Sequence, residues 1–190
     1  MKSKFRSNLF LLGIAFVVIL IDQLCKTLVR QNLGLGETWM PIPWLAPFFR
    51  FIYWKNTGAA FGIFQNGNTI LKVLSSIIAV VVVIYYQQVP ASQKLVRISM
   101  GLMLGGAIGN LIDRFTRGYV TDFISAGSFP VFNIADSCVT VGVGLLILAT
   151  ILEENKQRKA KDNATPDSGE TAEIEEDKPA GEDDDGRNSF

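Results

Sequence analysis

The run Leu9-Phe10-Leu11-Leu12-Gly13-Ile14-Ala15-Phe16-Val17-Val18-Ile19-Leu20-Ile21-Asp22-Gln23-Leu24-Cys25-Lys26-Thr27-Leu28-Val29 decides the fold. It follows Lys2, Lys4 and Arg6 and carries a Cys at position 25, so residues 1–25 imitate a secretory signal of the lipoprotein type. The imitation fails where cleavage would fall. Small residues are needed just before the Cys, and Asp22, Gln23 and Leu24 stand there, with helical pattern resuming to Val29. The run is therefore expected to be retained as a membrane helix of roughly 20 residues, about 30 Å long.

Three more apolar runs of similar length follow: Thr69 to Tyr86, Leu95 to Ile112 and Ile134 to Leu152. The first of these is rich in Val and Ile and could pass in water for a buried strand. In lipid each segment must satisfy its own backbone hydrogen bonds, which a single segment does only as a helix. The chain is thus expected to be an all-α polytopic membrane protein with four transmembrane helices near 9–29, 69–86, 95–112 and 134–152. Between the first two lies Leu33 to Asn68, dense in Trp39, Trp44, Phe48, Phe49, Phe51, Tyr53 and Trp54, which suits the headgroup layer. The alternation Phe49-Arg50-Phe51-Ile52-Tyr53 fits a short strand in a small extracytoplasmic element, and a simple interfacial anchor fits as well.

Orientation follows the basic residues that flank the spans. Lys2, Lys4 and Arg6, then Lys94 and Arg97, then Lys156, Arg158, Lys159 and Lys161 put both termini on the cytoplasmic side. The formal charge is zero, yet up to Leu152 there are 12 Lys and Arg against 5 Asp and Glu, and beyond it 6 against 13. A basic membrane domain, 1–152, is followed by an acidic stretch, 153–190, that has nothing apolar to bury and is expected to be a disordered cytoplasmic tail.

The chain holds no His, and Cys25 and Cys138 sit in apolar runs without the spacing of a redox pair or a zinc site. Ser-His-Asp and Cys-His machinery is excluded, so any chemistry rests on carboxylates, amides, Lys, Arg, Tyr or hydroxyls. The first 152 residues contain five acids: Asp22, Glu37, Asp113, Asp122 and Asp136. On the four-span topology all but Glu37 gather at the extracytoplasmic ends of the spans, with Lys26, Asn56, Asn110, Arg114 and Asn133 at the same level. Ionisable groups at membrane depth are costly and usually face a protein interior or a wet cavity. Asp22 with Lys26, and Asp113 with Arg114, could be neutralised structural pairs. Asp122 and Asp136 have no adjacent base. Two carboxylates brought close cannot both ionise, so one keeps a proton while the other acts as base, an arrangement able to activate water for peptide hydrolysis.

Five segments carry a family resemblance. They are Asp22-Gln23-Leu24-Cys25-Lys26, Asn56-Thr57-Gly58-Ala59-Ala60-Phe61-Gly62, Gly105-Gly106-Ala107-Ile108-Gly109-Asn110-Leu111-Ile112-Asp113-Arg114, Val120-Thr121-Asp122-Phe123 and Phe132-Asn133-Ile134-Ala135-Asp136-Ser137. In this order, on four spans, the chain resembles lipoprotein signal peptidase, also called signal peptidase II. The resemblance implies a bacterial inner-membrane endopeptidase that removes signal peptides from prolipoproteins whose Cys carries a diacylglyceryl group. It implies Asp122 and Asp136 as the catalytic dyad. It further implies Asn56, Gly106, Asn110, Arg114 and Asn133 as the substrate-binding and supporting shell, and Asp22 and Lys26 as structural polar residues. Asp113 is grouped with the latter. No metal, no other cofactor and no nucleic acid is expected; the partners are lipid-modified prolipoproteins and membrane lipids, and the chain is expected to act as a monomer.

Two other classes fit four spans with buried acids: a proton-coupled carrier, and a membrane assembly protein whose acids only hold helices together. Clustering at one face instead of the midplane, and the lack of inverted halves, speak against a carrier.

Overall fold

The computed structural model describes residues 2–58 and 67–164; Ala59 to Gly62 of the second motif, and the chain beyond Ala164, lie outside the described residues. The elements are α1 (Lys2–Asn32), β1 (Thr38–Trp39), a short 3-10 turn (Pro43–Leu45), β2 (Phe49–Asn56), α2 (Gly67–Tyr86), α3 (Lys94–Thr116), β3 (Val120–Ala126) and α4 (Ile134–Ala164). All four α-helices are long and apolar enough to cross a membrane.

α1 is apolar all round, so its sequence hides which side meets protein, and burial resolves it. Leu12, Phe16, Leu20, Leu24 and Leu28 form an exposed stripe, while Leu11, Ala15, Val18, Asp22 and Lys26 form a buried one. Both stripes repeat every three to four residues, as neighbouring turns of one helix face must. The buried stripe meets α3, the most enclosed span, with 56% of its apolar window buried against 22% or less for the others. Leu11 and Ala15 of α1, Val82 and Tyr86 of α2, and Met100 and Leu104 of α3 make a shared core.

Side-chain-free positions bring the helices close. A Cβ at Gly105 would lie 2.6 Å from Val18 Cβ and 2.9 Å from the Ala15 carbonyl oxygen, and one at Gly106 would collide with the carbonyl oxygen of Ala135 on α4. Gly106→Ala is therefore expected to push α4 away and destabilise the fold by about 1–3 kcal/mol, the usual cost of overpacking. Thermal unfolding in detergent measures it, and an unchanged midpoint contradicts the close packing.

The sheet is antiparallel in the order β1-β2-β3. The β element expected after the first helix is present, and it is completed by β3 from the connection between α3 and α4, which sequence periodicity did not mark. Between Phe51↔Ile124 and Trp54↔Asp122 the register shifts, setting two residues of β2 against one of β3. Such a bulge bends a strand and re-aims its side chains. After β3 the chain turns at Gly127 (φ +52°) and returns, Phe132 N–H donating to Ile124 O over 3.0 Å. This return sets Asn133 beside β3.

Three helices outrun their apolar stretches. α1 begins at Lys2 and ends at Asn32, α3 continues to Thr116, and α4 continues to Ala164. Hydropathy marks only the lipid-facing length, whereas helical hydrogen bonding carries on into water. Residues 153–164 are helical where the sequence suggested disorder; the remainder of the acidic stretch lies outside the described residues. The chain divides into a unit ending at Glu153 and a second beginning at Glu154.

Candidate active site

The polar residues meet at the sheet end of the helix bundle. Asp122, on β3, is 1% exposed. Asp136 lies in the first turn of α4 and is half-buried. Asn133 joins them. Its Nδ2 donates to Asp122 Oδ1 over 2.7 Å, and its backbone N–H donates to Asp136 Oδ2 over 3.2 Å. Asp136 backbone N–H donates in return to Asn133 Oδ1 over 3.0 Å. This reciprocal pair is a capping box in which Asn133 caps α4 and Asp136 closes the box. The local rule that starts the helix thus also fixes the position of Asp136.

Two more amides reach the pair. Asn56, at the end of β2, donates through Nδ2 to Asp122 Oδ2 over 2.9 Å, and Asn110 on α3 donates to Asp136 Oδ1 over 2.7 Å. Gly58 returns its N–H to Asn56 Oδ1 over 2.8 Å from a backbone with φ +92°, a region only glycine enters without strain. Burial pushes the Asp122 carboxyl up to about 7, the negative charge of Asp136 adds to the rise, and the amides of Asn56 and Asn133 oppose it. Near neutral pH, Asp122 therefore passes between acid and anion beside a second carboxylate. A pair of this kind can hold a water between a base and an acid.

Beneath the pair lies a buried ionic layer. Lys26 and Asp22 are both fully buried and 2.8 Å apart, as the one-turn spacing suggested. Asp22 also accepts the N–H of Ala135 over 3.0 Å, satisfying an otherwise unpaired donor at the start of α4. Asp113 does not pair with Arg114. Its ion pairs are to Lys26 (3.5 Å), Arg30 (3.6 Å) and Arg117 (3.7 Å), and it accepts the N–H of Thr121 over 3.0 Å, next to Asp122. The physical reason is direction: adjacent residues on a helix point some 100° apart, while Arg117 lies one turn along. Arg114 points elsewhere, 3.5 Å from Ser75 Oγ on α2 and within the field of Asp136, Asp122 and Asp113.

Each residue singled out in the sequence is therefore placed. Asp122, Asp136, Asn56, Asn110 and Asn133 form one hydrogen-bonded network, Arg114 lies in its field, Asp22, Lys26 and Asp113 form the layer below, and Gly106 lies at the contact of α3 with Ala135. Sequence reasoning gave no role to Gln23, Arg30 or Thr121. Gln23 ties Asp22 to the Gly109 carbonyl (3.2 and 3.0 Å), and Arg30 donates to Thr121 Oγ1 over 2.9 Å. Only Gln23 and Thr121 carried a signal, as neighbours of Asp22 and Asp122 in the quoted motifs.

A model of the family described as signal peptidase (SPase) II matches residues 14–152 of the chain. The chain belongs to the signal peptidase II family. Family membership indicates a protease, and the four apolar helices make it a multi-pass bacterial membrane protein. A lipoprotein signal peptidase of Shouchella clausii is 41% identical over 148 residues, 77% of this chain and 96% of the relative. That of Bacillus subtilis is 40% identical over 150 residues, 77% of this chain and 96% of the relative. Among solved structures, a bacterial membrane enzyme determined by the in meso method at 2.3 Å superposes with a TM-score of 0.68 and 30% identity, over 85% of this chain and 93% of that one. A second, at 1.9 Å, gives the same TM-score with 33% identity, covering 74% and 91%. Signal peptidase II similarity thus spans both carboxylates and every amide of the network.

Proposed function

We propose that this signal peptidase II family member is an aspartyl endopeptidase that cleaves the signal peptide from diacylglyceryl-modified prolipoproteins immediately before the lipidated Cys. The single observation that supports this most is that Asp122 and Asp136 both hydrogen-bond to Asn133, through different atoms. The relatives named lipoprotein signal peptidase point to the substrate class.

In this reading the ionised member of the pair takes a proton from a water held between the two carboxyls, and the water oxygen attacks the scissile carbonyl carbon. The protonated member gives its proton to the carbonyl oxygen, so a neutral tetrahedral diol forms. The proton taken from water then passes to the amide nitrogen and the C–N bond breaks. One diol proton returns to the carboxyl that gave it, leaving the signal peptide with a new C-terminal carboxyl group and the lipidated Cys with a free amine. Asn56, Asn110 and Asn133 hold the pair and offer amides to substrate backbone. Arg114 holds a carbonyl or lipid oxygen, and Gly106, whose open side is filled by the Ala135 carbonyl, supports the site by letting α4 pack close to α3. The site faces the extracytoplasmic side of the bacterial inner membrane, with both termini cytoplasmic, the stretch after Leu152 a tail, and the chain a monomer.

The test incubates the purified protein in detergent with a diacylglyceryl-modified prolipoprotein and with its unmodified form. The expected result is cleavage of the first alone, before the lipidated Cys and insensitive to chelators. Equal turnover of both, or dependence on a metal, overturns the reading. A pH series adds a second check. The Asp122 carboxyl loses its proton as pH rises through about 7, so the rate of single-turnover cleavage is expected to fall above that value as the pair loses its shared proton. A rate still rising at about pH 9 contradicts it.

A further inference from the structure

Each of the three amides around the dyad has one atom against a group of fixed polarity, which settles its orientation. Asn133 Oδ1 faces the backbone N–H of Asp136 at 3.0 Å, and Asn56 Oδ1 faces the backbone N–H of Gly58 at 2.8 Å. The fold itself sets those two. Asn110 is set by a side chain. Its Oδ1 lies 2.9 Å from Lys26 Nζ, and an ammonium only donates, so the NH2 of Asn110 must be the group 2.7 Å from Asp136 Oδ1. Asn133 Nδ2 gives one hydrogen to Asp122 and the other, over a longer 3.2 Å, to the same oxygen of Asn110, so it supports the orientation that the shorter, charged contact of Lys26 sets.

We propose that Lys26 is a positioning residue for the dyad: by holding Asn110 Oδ1 it turns the amide NH2 onto Asp136, so that Asp136 meets the attacking water as proton acceptor and Asp122 carries the proton. Were the amide reversed, its oxygen would face Asp136 Oδ1 at hydrogen-bonding distance, a contact only a protonated Asp136 could make. The other oxygen of Asp136 accepts the Asn133 N–H at 3.2 Å, and its place in the first turn of α4 sets it at the positive end of the helix, which favours a carboxylate. Asp122 also accepts two amide donors, Asn133 at 2.7 Å and Asn56 at 2.9 Å, so helix end and burial are what separate the pair: Asp122 lies on a strand, without such a field, and is the more buried of the two. The inference deepens the two-carboxylate reading given above and rests on it.

The charged groups around Asp136 come from every neighbouring element. α1 brings Lys26 and Asp22, the latter on the Ala135 N–H; α3 brings Arg114 and Asp113; β3 brings Asp122. On α2, Ser75 meets Arg114 and Lys72 stands over the Phe115 ring. Among the described residues, Lys26 is the one cation that touches an amide which in turn touches Asp136.

The experiment is a double-mutant cycle on purified protein with diacylglyceryl-modified prolipoprotein. Asp22→Asn/Lys26→Met removes one charge of each sign, so the net charge of the layer is unchanged. It is expected to lower kcat about 30-fold, part of the roughly 10²–10⁴ that acid–base catalysis supplies, with KM changed less than about threefold. In an Asn110→Ala background the same double substitution is expected to lower kcat no further, because the effect of Lys26 passes through Asn110. Losses that multiply overturn the proposal. Asn110→Asp gives an independent readout, because an oxygen then faces Asp136. Cleavage is expected to be lost near neutral pH and to recover on acidification, when the new carboxyl can donate. A flat or falling response to acid overturns the proposal, also if the double variant fails to fold. Wild type, Asp122→Asn and Asp136→Asn run alongside. If wild type does not cleave, or either Asn variant does, the peptidase reading itself fails; if these controls behave and the losses multiply, only the role of Lys26 falls.

Discussion

Asp122→Asn and Asp136→Asn are each expected to abolish signal-peptide cleavage, by at least about 10³-fold in single-turnover rate, while the protein still folds and inserts. In the proposed mechanism neither member can be spared: without Asp136 no base takes the water proton, and without Asp122 none is given to the carbonyl oxygen. The fold survives because Asn is the shape of a protonated Asp. For Asp122 the sign can be worked out. Its carboxyl is raised from 3.8 to about 7, so between those values the folded chain keeps a proton that the unfolded chain releases. Stability therefore falls as pH rises through this window, by a few kcal/mol in all. Above pH 7 the Asp122→Asn variant, which has no proton to lose, is expected to melt higher than wild type. Equal melting across the range, or retained cleavage by either variant, contradicts the assignment. A proton carrier would lose transport from these changes, and an assembly protein would lose its assembly.

The second large effect is on folding. Lys26→Met is expected to cost about 3–5 kcal/mol and to leave little folded protein, because it strands buried charge. Lys26 is fully buried, 2.8 Å from Asp22 and 3.5 Å from Asp113. Asp113 retains Arg30 and Arg117, at 3.6 and 3.7 Å, but Asp22 has no other cation among the described residues. Adding Asp22→Asn to Lys26→Met is therefore expected to restore most of the folded yield. Asn still offers an oxygen to the Ala135 N–H, so the start of α4 keeps its partner. Fluorescence-detected size-exclusion and thermal unfolding measure both variants. A Lys26→Met protein as stable as wild type would show that the buried charge is not balanced through Lys26.

The spans were legible in the sequence because lipid demands long apolar runs, and hydropathy reads that demand directly. The convergence of acids was legible for a related reason: so few charges occur before Leu152 that each one stands out. Other features resist such reading. β3 is buried on both faces from Val120 to Phe123, so it shows no alternation, and its place in the sheet depends on pairing with β2 across more than sixty positions. The pairing of Asp113 resists such reading because adjacency in sequence is not adjacency on a helix: Arg117, one turn along, and Arg30, on another helix, pair with it where Arg114 does not. The inward stripe of α1 was equally hidden, since lipid and core are alike apolar; Asp22 and Lys26 alone marked its direction. The capping box around Asn133 is spelled out by Asn133 and Asp136 at a three-residue spacing, just before and just inside a span expected to start at Ile134, where α4 does start.

The most direct test of one proton held by two carboxylates is a titration of the carboxyl stretch by infrared difference spectroscopy, in detergent, from about pH 5 to about pH 9. Wild type is expected to show a protonated-carboxyl band that disappears near pH 7 and is missing from Asp122→Asn. A wild-type spectrum with no carboxyl titrating near neutrality, or a band that persists unchanged in Asp122→Asn, would contradict the shared proton on which the proposed hydrolysis depends.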